Sequence, residues 1–458
     1  MPNWRNLSKP GLQKQPRERF EKLPLDFREG LWHNYLSNFH GIPMPLAGRG
    51  LVDMNTDFEW LTGGGTTSAQ GFLACGVAAG IKANRNDMAM VLSERPAVAA
   101  GLFTSNRVAA APVVVDRERV ASGRCRGVVV NAGCANACTG QAGHDDAVAM
   151  ARLAAEAVGV PEAEMLVSST GTIGRRLPMG RIAEGIRLAK GALRRDGGDE
   201  AAHAIMTTDT VAKQAALRVR IGGADVVIGG MCKGAGMICP NLATMLCYIT
   251  TDAAIAPADL DAALRRAANR SFNRITVDGD QSTNDTLVVF ANGASGSAVP
   301  AAPHPDFDRF ADALGAVAES LAKQIVADGE GATKFVTVAV EGAASDADAL
   351  MAARAVANSP LFKTACFGAD PNWGRVICAV GNSGAAVDAM KTQIYFDDVC
   401  VYDRGAVADA AVNAKLAAVM ANRAFTVLVK LNLGAGSDAV YTCDFSYDYV
   451  KINGEYTT

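Results

Sequence analysis

The chain has 458 residues, of which 49% are hydrophobic and 20% are charged, and its formal net charge is −3. This composition excludes a mainly disordered chain, and the near balance of charges gives no indication of nucleic-acid or membrane-surface binding. The most apolar region, residues 97–115, is interrupted by Ser105, Asn106 and Arg107, which argues against a membrane span.

The eleven cysteines are scattered along the chain, and only Cys134 and Cys138 lie close together. No second pair completes the spacing of a zinc site. The cysteine pattern therefore predicts no metal and indicates reduced, mostly buried thiols in a cytoplasmic protein.

Residues 1–62 differ in composition from the rest of the chain. They contain three of the four Trp, and five Pro fall between Pro2 and Pro43. They lack the apolar stretch of a secretory signal, and acidic residues interrupt the basic ones, unlike in a transit peptide. We expect an N-terminal extension of unknown role that packs on the main body or on a neighbouring subunit.

From Gly63 onward, short β-rich runs alternate with helical stretches. Strands are predicted at 127–130 and 165–168, each running into a Gly-containing loop, with a helix at 145–158 between them. A hairpin is predicted from 215–221 and 226–229. Later elements are helices at 306–326 and 408–421 and strands at 335–340, 425–431 and 439–445. Because strands and helices mix without a regular βαβ order, we predict an α+β fold in layers.

Common catalytic motifs do not fit this sequence. The run from Gly229 to Gly236 has its lysine misplaced for a phosphate-binding loop, and its glycines do not complete a dinucleotide fingerprint. No Gly-x-Ser-x-Gly sequence occurs, and the chain has only five His. A nucleophile that works without histidine is therefore indicated, such as a Ser/Lys pair or a threonine acting through its own α-amine.

The segment 229–252 is the most informative part of the chain. Between Met231 and Asp252 only Lys233 and Asp252 are charged. Spacing alone does not distinguish a catalytic segment from a buried strand with a tight turn.

This segment closely resembles the self-cleavage region of the ornithine acetyltransferase family, the bifunctional glutamate N-acetyltransferases of arginine biosynthesis. Other motifs match in the family's order over residues 63–458. They lie at 131–137, 169–174, 207–210, 278–286, 328–334, 368–375 and 453–458. Each motif is weak alone, but together and in register they are highly specific.

The resemblance implies that the chain cleaves itself between Ala243 and Thr244. The products would be an α-like chain 1–243, made of the extension and the part 63–243, and a β-like chain 244–458. Thr244 would then supply both a nucleophilic hydroxyl and a free α-amine, whose pKa of about 7.7–8.0 suits a general base. The family's oxyanion donors match the Thr170 hydroxyl and the Gly171 N–H. The matching substrate contacts are Thr210, Lys233, Thr244, Glu330, Asn453 and Thr458.

The implied reaction is a ping-pong transfer of an acetyl group from N-acetylornithine to glutamate. No metal or organic cofactor is implied, and acetyl-CoA is an alternative acetyl donor in some members. The implied structure has mixed sheets flanked by helices, an N-terminal-nucleophile-like fold in two joined parts, assembled as an α2β2 heterotetramer.

Several alternatives stay open at this point. Lys233 can extend its ammonium to solvent, and Glu330 can be a solvated carboxylate next to Lys334. A self-cleaving amidohydrolase or aminopeptidase of the same fold would pass the acyl group to water, and an uncleaved relative would be non-catalytic.

Overall fold

The computed structural model describes residues 58–239 and 245–455. The chain divides into two compact units, Met1–Pro45 and Leu46–Thr458, and every described residue lies in the second. Most of the predicted extension, the predicted cleavage bond Ala243–Thr244 and the predicted contact Thr458 lie outside the described residues.

The elements follow one another without a regular alternation of strand and helix. The strands are β1 (Phe58–Trp60), β2 (Phe72–Val77), β3 (Met88–Ser93), β4 (Val98–Phe103), β5 (Gly127–Cys134), β6 (Met165–Thr172), β7 (Lys213–Ile221), β8 (Ala224–Lys233), β9 (Leu246–Thr251), β10 (Thr286–Ala291), β11 (Phe335–Ala343), β12 (Gln393–Phe396), β13 (Val399–Asp403), β14 (Ala406–Val407), β15 (Ala424–Lys430) and β16 (Gly436–Cys443). The helices are α1 (Ala111–Val120), α2 (Gly140–Val158), α3 (Met179–Ala192), α4 (Gly198–Ala204), α5 (Pro257–Arg270), α6 (Pro305–Ala327), α7 (Asp346–Ala357), α8 (Pro360–Phe367), α9 (Trp373–Gly381), α10 (Asn413–Ala421) and α11 (Tyr447–Glu455).

The described strands form three sheets. The first has the order β1-β7-β8-β9-β10-β4, in which only β9 and β10 run parallel. The second has the order β2-β3-β5-β6, with β5 and β6 parallel. The third has the order β14-β13-β12-β15-β11-β16, with β11 and β15 parallel. Each of the three sheets therefore contains one parallel pair of strands and otherwise antiparallel pairs. Such mixed sheets agree with the predicted α+β class.

The first and second sheets pack face to face. Their shared core contains Val128 and Leu166 from the second sheet and Met231, Tyr248 and Phe290 from the first. Helices α2 and α3 cover the other face of the second sheet, and α6 packs on β7 and β8. The result is a helix–sheet–sheet–helix arrangement, which confirms the predicted layers. The third sheet has its own core with α7 to α10.

The predicted elements are present, but several bounds were wrong. The hairpin and the helix at 306–326 are confirmed, although β7, β8 and α6 are longer at their ends. The helix predicted over 408–421 begins only at Asn413. A short 3-10 turn precedes it, in which Asp409 accepts a hydrogen bond from the backbone N–H of Ala411.

The end of the predicted extension belongs to the first sheet, because Phe58–Trp60 pairs with β7 in the register Phe58↔Val219. The domain boundaries at 62/63 and 243/244 stay predictions. Seven of the cysteines are buried, which confirms the predicted burial of most thiols. Among the described helices, none combines the length and the apolar character needed to cross a membrane.

Candidate active site

The two predicted oxyanion donors lie inside a strand. Thr170 and Gly171 belong to β6, which pairs with β5 as far as Gly133↔Gly171 and then shifts register at Cys134. The loop predicted from residue 169 onward is therefore wrong for residues 169–172. The cause is a close approach of two glycines: Gly171 has φ +125°, and a Cβ there would overlap the backbone of Gly133. Only glycine allows this contact, so the ladder continues.

The Thr170 hydroxyl is held by a buried lysine. Lys233 is the last residue of β8, and its Nζ donates to Thr170 Oγ1 at 3.4 Å. Only 4% of Lys233 is exposed. The alternative in which Lys233 extends its ammonium to solvent is therefore wrong. Burial lowers the pKa of Lys233, while Asp209 opposes that shift. Since the hydroxyl accepts from Lys233, its own hydrogen remains available to a further acceptor.

A buried network joins the end of β8 to two loops. Lys213 is fully buried, and its Nζ lies 2.7 Å from Asp209 Oδ1 and 2.6 Å from Asp328 Oδ2. Asp209 also accepts the Gly234 N–H at 2.7 Å, directly after Lys233. Burial alone would raise the pKa of Asp209, but Lys213 and Lys233 outweigh it and hold that pKa below its usual range.

The predicted substrate contact Thr210 is fixed by this network. Asp328 Oδ2 accepts the Thr210 N–H at 3.0 Å, and the Thr210 hydroxyl donates to Asp328 Oδ1. Asp209, Lys213 and Asp328 were not predicted as site residues. Asp209 and Asp328 stood within the matched motifs, but nothing in the sequence showed that Lys213 lies between them.

Glu330 lies next to the residues that follow β8. Its N–H donates to the Ala235 carbonyl at 2.8 Å, and its carboxylate lies against Gly236, where a Cβ would overlap it. Asn453 Nδ2 of α11 donates to Glu330 Oε2 at 2.8 Å. Glu330 is only 8% exposed, so the alternative of a solvated carboxylate is wrong. Asn453 thus lies beside Glu330, and its role as a substrate contact stays a prediction.

The loop 276–285 contacts the chain on both sides of residues 240–244. The Asp278 carboxylate accepts the N–H groups of Met237 at 2.6 Å and Ile238 at 2.8 Å. Asp285 Oδ1 accepts the Met245 N–H at 3.2 Å. Burial raises the pKa of both carboxyl groups, and for Asp285 the rise is large. One loop thus holds both flanks of the predicted cleavage segment.

Asn284 connects this loop to the strand that carries the oxyanion donors. Its Nδ2 donates to the Ser169 carbonyl at 2.8 Å and to the Ala135 carbonyl at 2.7 Å. Its Oδ1 accepts the Thr283 hydroxyl at 2.6 Å, which fixes the orientation of the amide. Asn284 lies within the matched motif 278–286, but its role as a link was not predicted.

The structure thus brings Thr170, Gly171, Lys233, Thr210, Glu330 and Asn453 into one connected group of elements. A hydroxyl and a strand-end glycine beside a buried ammonium are groups that stabilise a tetrahedral oxyanion. In an α+β protein of this architecture they define an acyl-transfer enzyme.

Comparisons with known proteins agree with this class. A family model described as the ArgJ family matches residues 73–458. The arginine biosynthesis bifunctional protein ArgJ of Symbiobacterium thermophilum is 51% identical over 405 residues, covering 87% of this chain and 100% of the relative. The protein of the same name from Geobacter sulfurreducens is 52% identical over 392 residues, covering 85% and 100%. The chain belongs to the ArgJ family, which confirms the resemblance found in its motifs.

A solved structure was also matched. It is a crystal structure of ornithine acetyltransferase complexed with ornithine from Mycobacterium tuberculosis, 44% identical, with a TM-score of 0.39. The match covers 41% of this chain and 100% of that one.

Proposed function

We propose that this protein transfers an acetyl group from N-acetylornithine to glutamate in arginine biosynthesis. The observation that carries the proposal is the contact between Lys233 and Thr170 at the strand end that contains Gly171. The nucleophile we propose is Thr244, made N-terminal by cleavage of the Ala243–Thr244 bond. It precedes Met245, whose N–H is held by Asp285.

The first half-reaction acetylates the enzyme. The Thr244 α-amine takes the hydroxyl proton as the hydroxyl oxygen attacks the acetyl carbonyl of N-acetylornithine. The C–N bond then breaks, the proton passes to the leaving α-amine, and ornithine departs. The negative charge on the carbonyl oxygen is stabilised by the Thr170 hydroxyl and the Gly171 N–H. Donors of this kind contribute about 2.7–4 kcal/mol each in other acyl-transfer enzymes.

The second half-reaction is the reverse with a different amine. The α-amine of glutamate attacks the acetyl ester, the C–O bond breaks, and the Thr244 hydroxyl regains its proton. The precursor lacks this activity, because a peptide nitrogen at residue 244 is not a base.

Charge assigns the substrate contacts. Lys233 is a cation suited to the α-carboxylate that ornithine and glutamate share, and pairing with it offsets the cost of its burial. Glu330 is suited to the δ-ammonium of ornithine. Thr210, Asn453 and Thr458 complete the proposed contacts, with Asn453 orienting the Glu330 carboxylate.

The remaining parts of the proposal concern co-substrate and assembly. The chemistry needs no metal or organic cofactor, and acetyl-CoA is a second acetyl donor for glutamate. The two fragments assemble as an α2β2 heterotetramer in the cytoplasm.

The test combines intact mass with product analysis. We expect the purified wild type to consist of fragments 1–243 and 244–458, and Thr244→Ala to remain one chain. The substitution removes the nucleophile, so acetyl transfer from N-acetylornithine to glutamate should fall by more than about 10³-fold. Thr244→Ser keeps a hydroxyl and should retain both cleavage and measurable transfer.

Other results would contradict the proposal. A single intact wild-type chain with full activity would exclude the N-terminal threonine mechanism. Release of acetate in place of N-acetylglutamate would favour the hydrolase, and an intact, inactive wild type would favour a non-catalytic relative.

A further inference from the structure

Strand β6, which carries the proposed oxyanion donors Thr170 and Gly171, is called the oxyanion strand below. Two lysines near it have no carboxylate within salt-bridge distance among the described residues. Lys233 donates to a hydroxyl oxygen, and Lys82 donates from Nζ to the Met206 carbonyl at 2.7 Å. By contrast, the neighbouring Lys213 is neutralised by two carboxylates. Lys233 is buried and Lys82 is partly buried. Taking an ammonium out of water without a directly bound anion costs free energy, so this pair of charges favours an anionic ligand.

Lys82 contacts two segments that border the proposed site. Its side chain crosses Gly133, where a Cβ would lie 3.0 Å from Lys82 Cγ, and Gly133 is the register partner of Gly171. Its ammonium is bound to Met206, which begins the loop that leads to Thr210. Its backbone is fixed, because the Lys82 N–H donates to Asp87 Oδ2 at 2.7 Å.

The electrostatic surroundings of Lys82 agree with this placement. Burial, together with the charges of Arg85 and Lys233, lowers the pKa of Lys82 to about 8, although Asp87 and Asp209 oppose the shift. Asp87 is occupied by the N–H groups of Ala79 and Lys82. Lys82 therefore carries a positive charge at neutral pH that an incoming carboxylate would stabilise.

The proposed substrates differ in the charge at the end of their side chains. Ornithine ends in an ammonium, for which Glu330 is the suited partner, whereas glutamate ends in a second carboxylate. Lys233 can satisfy the α-carboxylate of either substrate, but glutamate needs a further cation. We infer that the Lys82 ammonium binds the side-chain carboxylate of the acetyl acceptor and so selects glutamate. This inference rests on the proposed function and adds a specificity residue to it.

The experiment compares two acceptors of opposite side-chain charge. Acetyl transfer from N-acetylornithine is measured with glutamate and, as isotope exchange, with labelled ornithine. We expect Lys82→Met to lower the ratio of kcat/KM for glutamate to that for ornithine by about 10- to 100-fold, as for loss of a charged hydrogen bond. The loss should appear mainly as a higher KM for glutamate, because the contact is made in the bound ground state as well as in the transition state.

Two further variants separate charge from packing. Lys82→Arg keeps the charge and should keep a preference for glutamate over its neutral analogue glutamine, which Lys82→Met should lose. Arg85→Gln is the matched control, because Arg85 also donates to a carbonyl of the same loop, that of Thr207, at 2.9 Å. It should change the ratio by less than about twofold. Thermal unfolding midpoints check folding, and Lys82→Gln replaces Lys82→Met if that variant aggregates.

The outcomes are distinguishable. A glutamate-to-ornithine ratio in Lys82→Met within about twofold of wild type would overturn the inference, even if both activities fell together. A wild type that exchanges no acetyl group with ornithine would instead refute the proposed function.

Discussion

Lys213 is a cation with no exposed surface, and it holds two carboxylates that serve different parts of the site. Asp209 positions the main chain after Lys233, and Asp328 positions Thr210. Burial would lower the pKa of Lys213, but the two carboxylates raise it. Removal of one member of such a buried ion-pair network leaves a buried charge without a partner. The resulting loss of folding stability is larger than the net stability that the intact network contributes.

We therefore predict that Lys213→Met destabilises the protein by about 3–5 kcal/mol. The measurement is the free energy of unfolding in denaturant. Arg265→Met is the control, because the Arg265–Asp261 pair is exposed and should contribute less than about 0.5 kcal/mol. Equal effects of the two substitutions would contradict the prediction.

The same network also determines whether acid raises or lowers the stability of the folded protein. The pKa of Asp209 is lower in the folded protein than in the unfolded chain. Its contribution to stability is therefore fully present above the unfolded pKa of about 3.9 and is lost as pH falls below it.

At this scale the sequence identified side chains but not their partners. Thr170, Lys233, Glu330 and Asn453 were found through matched motifs, and the structure brings them together. Lys82 and Lys213 were missed because neither lies in a matched motif, and each has a partner far away in sequence, Met206 for Lys82 and Asp328 for Lys213. Burial of Lys233 is in keeping with its apolar segment, whereas burial of Glu330 was not predictable, since charged residues are mostly exposed.

Among the elements, the loop 276–285 links the strand of the proposed oxyanion donors to the segment of the proposed nucleophile. Asn284 binds the carbonyl of Ser169, which precedes the proposed oxyanion donor Thr170. Its neighbour Asp285 binds the N–H of Met245, which follows the proposed nucleophile. Adjacent side chains thus hold the residue before the proposed donor and the residue after the proposed nucleophile. Small displacements of reacting groups cost about 10²-fold in rate.

Isosteric exchanges at these adjacent positions should have unequal effects. Asn284→Asp replaces an amide that donates to two carbonyls by an acceptor, so we expect kcat for acetyl transfer to fall by about 10- to 100-fold. Asp285→Asn keeps an oxygen that accepts the Met245 N–H, and burial already favours the neutral acid. We expect its kcat to change by less than about twofold.

Kinetics on cleaved protein, with unfolding midpoints as a control, test this difference. A loss in Asp285→Asn as large as in Asn284→Asp would contradict the assigned contacts. If Asn284→Asp and Thr170→Ala show additive losses when combined, Asn284 does not act through the oxyanion strand.

The element bounds show where sequence patterns fail. Apolar periodicity predicted the α+β class and seven of the sixteen described strands, because the buried faces of those seven are apolar. The ends of β5 and β6 were missed, since Ser169, Thr170 and Gly171 are typical of loops. They remain in the strand because two glycines allow close pairing, a tertiary effect that no local pattern reports.

For the whole molecule, the predicted cleavage bond connects two strands that are already paired. Strands β8 and β9 are antiparallel neighbours in the register from Ile228↔Thr251 to Lys233↔Leu246. Met231 on one strand and Tyr248 on the other belong to the same core. Breaking one peptide bond between them removes no strand pairing and exposes none of that core.

We therefore predict that the cleaved fragments stay together under native conditions. Size-exclusion chromatography should give one peak that contains both fragments, at the volume of uncleaved Thr244→Ala. Denaturant should separate them, because noncovalent contacts such as apolar burial, hydrogen bonds and the Lys213–Asp328 ion pair hold them together. A fragment 244–458 that elutes alone in native buffer would contradict this pairing. Since β9 is buried along its whole length, a free fragment would expose that strand to solvent and aggregate rather than remain soluble.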